Sequence, residues 1–206
     1  MTSHAVIAIA SSVGIVVLAF VGQVPTYRVA PTFLLPLLWL VYFLRQRLHL
    51  HPVHYALFAL ALLLHMLGTF GFYQRSFFGL SFDIYVHFYF AIPVALILER
   101  WLRKSLLPGR TWWPRVAALM FMMGFGALHE IMEYGTYLLL GEERGMLKPS
   151  TSYPFDTQRD LVNNLLGSLT ALTVAAIVHA ARRREAQPAK TAPGDTREPF
   201  GSPGNS

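Results

Sequence analysis

Three groupings stand out because each sets ionisable side chains four residues apart within, or at the mouth of, an apolar stretch. Asp83-Ile84-Tyr85-Val86-His87 places a carboxylate and an imidazole at i and i+4, one above the other on a helix face. His129-Glu130-Ile131-Met132-Glu133 repeats the spacing in reverse order and adds a second acid. Asp156-Thr157-Gln158-Arg159-Asp160 is a third pair, followed one turn later by Asn163 and Asn164. A charged side chain at bilayer depth costs about 2.5–3.5 kcal/mol on insertion scales, so such residues are functional candidates. Two chemistries fit them. Imidazole nitrogens and carboxylate oxygens can hold one divalent ion, with Zn, Mn or Fe suited to that donor set. Such an ion can activate water against an ester or phosphodiester. The same groups can instead pass protons or cations along a relay. On the metal reading, Asp83, His87, His129 and Glu133 are the ligands and Glu130 and Asp160 the acid–base groups. Asp156, Gln158, Asn163, Asn164 and His65 complete the polar site. The zinc-protease pattern His-Glu-x-x-His would need histidine at 133, where this chain has glutamate, which removes a protease.

The elements that must carry these residues follow from composition. Of 206 residues, 54% are hydrophobic and 14% charged, against roughly 25% charged in soluble domains. Apolar runs cover 4–21, 29–44, 54–73, 80–98, 114–140 and 161–181. Backbone in lipid must satisfy its own hydrogen bonds, so each run predicts a helix. The fold class expected is therefore all-α, a polytopic membrane bundle of about six transmembrane helices over residues 1–184. The second run is the weakest, being short and holding Pro31 and Pro36. The first lacks a basic leader and a small-x-small cleavage site, and reads as an uncleaved span. Residues 185–206, rich in Pro, Gly and Ala, read as a disordered cytoplasmic tail.

The net charge of +6 is distributed by loop. Arg45/Arg47, then Arg100, Arg103, Lys104, Arg110 and Arg115, then Arg182, Arg183 and Arg184 fall on alternate sides of the spans from Arg28, Arg75 and the Glu142, Glu143, Arg144, Lys148 segment. Lys and Arg concentrate in cytoplasmic loops, so both termini are expected inside. The basic residues then lie beside membrane lipids, the expected partners, and nucleic acid is excluded. With no cysteine, disulfides and thiolate metal sites are excluded as well.

Depth unites the three groupings. Counting about 1.5 Å per residue from the inner helix ends puts Asp83, His87, His129, Glu133 and Asp160 within about 10 Å of the outer boundary. His65 falls roughly 14 Å deep, as a further ligand or an interhelical hydrogen bond. His49, His51 and His54 read as interface residues of the inner loop. Glu99 is expected to pair with Arg100 or Arg103. Trp39, Trp101, Trp112, Trp113 and Tyr153 fit interfacial belts. Gly124, Gly126 and Ala127 with Gly167, Ser168 and Ala171 predict close approach of spans five and six.

In combination, Asp83-x-x-x-His87-Phe-Tyr89, Glu130-x-x-Glu133-Tyr134 and Asp156-Thr-Gln-x-Asp160-x-x-x-Asn164-x-x-Gly167 resemble the YjdF-type membrane proteins. A looser similarity links the same stretch to VanZ-like membrane proteins, which are associated with glycopeptide tolerance and envelope lipids. Glu133 stands where their pattern has glutamine, and His129 is added. The resemblance implies a multi-pass protein of the bacterial inner membrane and carries over no reaction. From the site itself, the leading expectation is a metal-assisted transformation of an envelope lipid or lipid-linked substrate. The alternatives are an ion- or proton-coupled transporter and a non-catalytic assembly or sensor protein.

Overall fold

The computed structural model describes residues 1–24, 28–140 and 155–185. The loop charges Glu142 to Lys148, Tyr153 and the tail from residue 186 lie outside the described residues.

Helices dominate what remains. α1 is Ser3–Val21, α2 Pro31–Phe43, α3 Pro52–His65, α4 Phe82–Trp101, α5 Trp113–Leu140 and α6 Asp156–Glu185. Five helical stretches are long and apolar enough to cross a membrane, α3 counted with the tighter turn Met66–Phe70 that extends it. The chain is an all-α polytopic membrane protein. Large apolar side chains such as Val13, Phe20, Met120, Ile131 and Leu139 stay exposed on α1 and α5, the faces a lipid phase would cover.

The weak second run forms α2, which at 13 residues spans only about 20 Å. Contacts at its two ends show that the chain nonetheless returns across the bundle there. His4 Nε2 lies 3.2 Å from the Leu50 carbonyl, whereas the Thr69 hydroxyl donates to the Leu18 carbonyl at 3.2 Å. α1 and α3 are therefore parallel, and the segment between them must run back. Hydrogen-bonded turns at 44–50 lengthen the pass beyond the helix proper. Trp39 is not part of a surface belt as expected: its indole N–H donates to Ser12 Oγ at 3.1 Å, half-way along α1. Trp112 and Trp113, stacked at 4.1 Å and about half exposed, do fit such a belt.

A two-residue antiparallel ladder, Ser76–Phe77 (β1) with Leu80–Ser81 (β2), joins α3 to α4. The turn between them needs a left-handed backbone at Phe78 and Gly79. Tyr85 Oη donates to the Phe77 carbonyl at 2.7 Å and ties this hairpin to the first turns of α4.

α4 is the hub. It packs most extensively on α6 and also against α3 and α5, and its Phe90 and Val94 reach both apolar clusters of the protein. One cluster is built from α1–α3 around Ile15, Leu38, Tyr55 and Met66, the other from α4–α6 around Ala91, Ala95, Met122 and Ala171.

The small residues expected between α5 and α6 divide their work. Gly126 faces Asn164 of α6, where a Cβ would sit 2.7 Å from Asn164 Nδ2. Gly167 instead seats α6 on α4, where a Cβ would meet the Phe88 carbonyl and lie 3.1 Å from the Ala91 Cβ. A Cβ at Gly124 would meet nothing within 4 Å outside its own helix. Gly167→Ala is thus expected to lower stability by about 1–3 kcal/mol through overpacking against backbone. Gly124→Ala should leave the thermal midpoint in detergent unchanged; equal midpoints for both variants would disprove the seat.

Candidate metal centre

The C-terminal end of α3, the N-terminal ends of α4 and α6 and the second half of α5 meet at one end of the bundle. α4 and α6 are parallel there: Asp83 meets Arg159 at one level, and Arg103 meets His179 at the far end. Both helix N-termini point their free N–H groups and positive dipole ends at this region, an environment that favours carboxylates.

Asp83 and His87 come from the first turns of α4, Asp160 from the second turn of α6. His87 Nε2 lies 3.5 Å from Asp83 Oδ1 and 3.7 Å from Asp160 Oδ2. Both separations exceed the 2.7–3.2 Å of a good hydrogen bond. They match the roughly 3.4 Å between neighbouring ligand atoms set about 2.1 Å from a tetrahedral ion. One ligand atom from each of the three residues lies within 4.8 Å of the others. This His/Asp/Asp group could hold a metal ion.

Arg159 organises the two acids. Its Nη2 is 3.3 Å from Asp83 Oδ2 and its Nε 3.7 Å from Asp160 Oδ1, and it also pairs with Asp156. Each of the two candidate ligand carboxylates thus turns one oxygen to the guanidinium and the other to His87. Partners of this kind orient metal ligands and fix which oxygen is presented. Asp156 serves as a third anchor for the guanidinium rather than as part of the group.

α5 contributes a second layer. His129 Nε2 and Glu133 Oε1 pair at 3.2 Å, and the His129 ring centroid is 5.8 Å from that of His87. His129 remains 41% exposed and, with Glu133, stands outside the tight three-ligand group. The division expected from spacing changes accordingly: Asp160 joins Asp83 and His87 among the candidate ligands, and the α5 pair borders them. Glu130, about 100° further round the helix, points inward and is 4% exposed. Thr157 approaches it, though neither carboxylate oxygen reaches a well-formed hydrogen bond among the described residues. Asp83 and Asp160 are both in its electrostatic range.

The remaining candidates scatter around this centre. Asn164 is 2% exposed and approaches His87. Asn163 donates to the Arg159 carbonyl at 2.9 Å and steadies the first turns of α6. His65 Nδ1 is 2.6 Å from Tyr73 Oη, a local bond at the end of α3. Gln158 is exposed and lies away from the group. Arg159 and Thr157 were not among the residues expected to form the site. For the first, the available signal was an arginine set between two aspartates at the start of an apolar span.

The family model for a predicted membrane protein family, DUF2238, matches residues 3–181. The chain belongs to this family. Membership in DUF2238 is consistent with the YjdF-type resemblance, and the match leaves the VanZ-like one unconfirmed. No curated protein and no solved structure matches the chain.

Because Arg159 orients both acids, Arg159→Ala in this DUF2238 protein should weaken divalent-ion affinity about 10–100-fold. Arg159→Lys, a point charge without the planar fork, should recover part of it. Calorimetric titration with Zn and Mn reads both; unchanged affinity in the alanine variant would mean that Arg159 merely neutralises the acids.

Proposed function

We propose that the chain is a bacterial inner-membrane protein that holds one divalent ion between Asp83, His87 and Asp160 and acts on a membrane-borne ester or phosphodiester. The observation that carries the reading is the gap at His87 Nε2, too wide for hydrogen bonds to either aspartate and the right width for an ion between them. Zn, Mn and Fe all suit one nitrogen and two oxygens. Bound there, an ion would supply a nucleophilic water near neutral pH and polarise the substrate's oxygen.

The chain's own residues have separable tasks. Glu130, buried with Thr157 beside it, is the group available to take or return a proton. His129 and Glu133 border the approach to the centre, and Asn164 backs His87. Arg159 keeps the two aspartates aimed. The opposite end of the bundle carries Arg103, Arg115 and Arg182 to Arg184, so the positive-inside bias assigns that end to the cytoplasm. The site would then face outward, where envelope lipids and lipid-linked precursors can reach it laterally.

A second reading, a proton or cation relay, is favoured by Glu130, since buried intramembrane carboxyls serve such relays. Against it stands the position of the site near one end of the bundle rather than at mid-depth, where carrier sites usually lie.

Elemental analysis of the purified protein is expected to find close to one equivalent of metal per chain, lost in His87→Ala and Asp160→Asn. His129→Ala should keep the ion. Protons compete for the imidazole, so the metal should also be lost as pH falls. A folded but metal-free wild type, or metal retained in His87→Ala, would end the reading. Glu130→Gln should keep the ion while losing phosphodiester hydrolysis by about 10²–10⁴-fold. Proton flux in proteoliposomes that is absent in Glu130→Gln would instead favour the relay.

A further inference from the structure

At the end of the bundle far from the metal centre, α4 does not stop cleanly. Residues Leu102–Leu106 continue it as a wide turn, in which the Leu107 N–H bonds the Leu102 carbonyl five residues back at 2.8 Å. Such π-type turns are rare and concentrate at functional sites. This one carries Arg103 and Lys104.

Beneath it lies an ionisable cluster that the metal reading does not use. Glu99 is 2% exposed and accepts Arg103 Nε at 3.0 Å. His179 of α6 lies between them, with Nδ1 3.9 Å from Glu99 Oε1 and Nε2 3.4 Å from Arg103 Nη2. Since the guanidinium can only donate, Nε2 accepts and the ring proton faces Glu99. The single buried acid is therefore committed to holding Arg103 and His179 in place.

The other cations here have no such counter-charge. A cleft of about 240 Å³ is lined by Arg103, Thr111, Arg115, His179, Arg182 and Arg183. Arg115 Nε is buried with no hydrogen-bond partner among the described residues. Arg115 and Thr111 also flank the start of α5, whose N-terminal dipole end favours negative charge. Among the described residues that line or underlie the cleft, four guanidiniums face the one carboxylate of Glu99 and one of them has a buried donor without a partner, a setting that suits an anionic ligand. Guanidiniums recognise phosphate oxygens by paired hydrogen bonds, and basic clefts between transmembrane helices at this level take lipid head groups.

We propose that this cleft binds the phosphate of an anionic ligand, with Arg115, Arg182 and Arg183 as its ligands and Glu99 as the post that fixes Arg103 beside them. The site is independent of the metal centre, at the other end of the α4–α6 pair.

The test uses the full-length protein in neutral detergent and phosphatidylcholine nanodiscs. Binding of phosphatidylglycerol is followed by native mass spectrometry and thermal shift, and inorganic phosphate is titrated in parallel. Wild type should prefer phosphatidylglycerol to phosphatidylcholine, and Arg115→Gln/Arg182→Gln/Arg183→Gln should weaken that binding at least about tenfold. The matching lysine triple variant should retain most of it. Arg45→Gln/Arg47→Gln, at the same end but outside the cleft, should change it less than about twofold. Should the glutamine triple variant not fold, Arg182→Gln alone, at an exposed position, should still cost a few-fold relative to Arg47→Gln. Selectivity for the lipid alone assigns the cleft to a head group, and saturable phosphate binding lost in the same variants assigns it to a soluble anion. Either outcome supports the phosphate site. No preference in wild type, or equal losses in the cleft and control variants, would overturn it in favour of general surface attraction.

Discussion

Two parallel helices locked in one register govern this molecule. Arg159 meets Asp83, Gly167 rests on α4 at Phe88 and Ala91, and His179 meets Arg103. The middle contact is backbone against backbone, and it leaves no room for sliding. A shift of one residue would rotate α6 by about 100° and move it about 1.5 Å. Asp160 would then leave His87, and His179 would leave Glu99. The glycine is what lets two polar assemblies, separated by most of a bilayer's thickness, be set by one packing contact.

The same pairing sorts charge. Both N-termini converge on the acid-rich end and both C-termini on the basic end, so each dipole supports the side chains gathered there. Five carboxylates, Asp83, Glu130, Glu133, Asp156 and Asp160, gather at the first end around the guanidinium of Arg159 and the histidines. That gathering of carboxylates beside His87 is what would let the His/Asp/Asp group hold a divalent ion, with Arg159 fixing which oxygens Asp83 and Asp160 present. At the other end the imbalance is reversed, with Glu99 the buried acid among several arginines. α5 returns the chain between the two and brings a residue to each: Glu130 to the acid end and Arg115 to the basic one.

The α1–α3 half plays a different part. It closes the flank of α4, where Phe58 of α3 meets Phe90 of α4, and supplies His65 and Tyr73 near the site end. Its polar contacts, Trp39 to Ser12 and Tyr55 to the Leu38 carbonyl, join neighbouring passes and face no cluster of acids. It acts as support for the α4–α6 pair, with α1 and α3 kept parallel by the short return pass of α2.

Much of this was open to reading in one dimension. Apolar runs, loop charges and the need to satisfy backbone hydrogen bonds in lipid determined a helical membrane bundle. The i,i+4 spacing determined that Asp83 faces His87 and that His129 faces Glu133, because helical geometry makes those pairs neighbours wherever the helix goes. Tertiary structure alone decided the rest. Asp160 sits beside His87 because α6 runs parallel to α4 in one register, and no local spacing encodes the register between helices 70 residues apart in sequence. Glu130, rather than its neighbours, faces inward because of how α5 is rotated in the bundle, and Trp39 leaves the interface because Ser12 offers its indole a partner. Sequence sets which side chains share a helix face; only packing sets which faces meet.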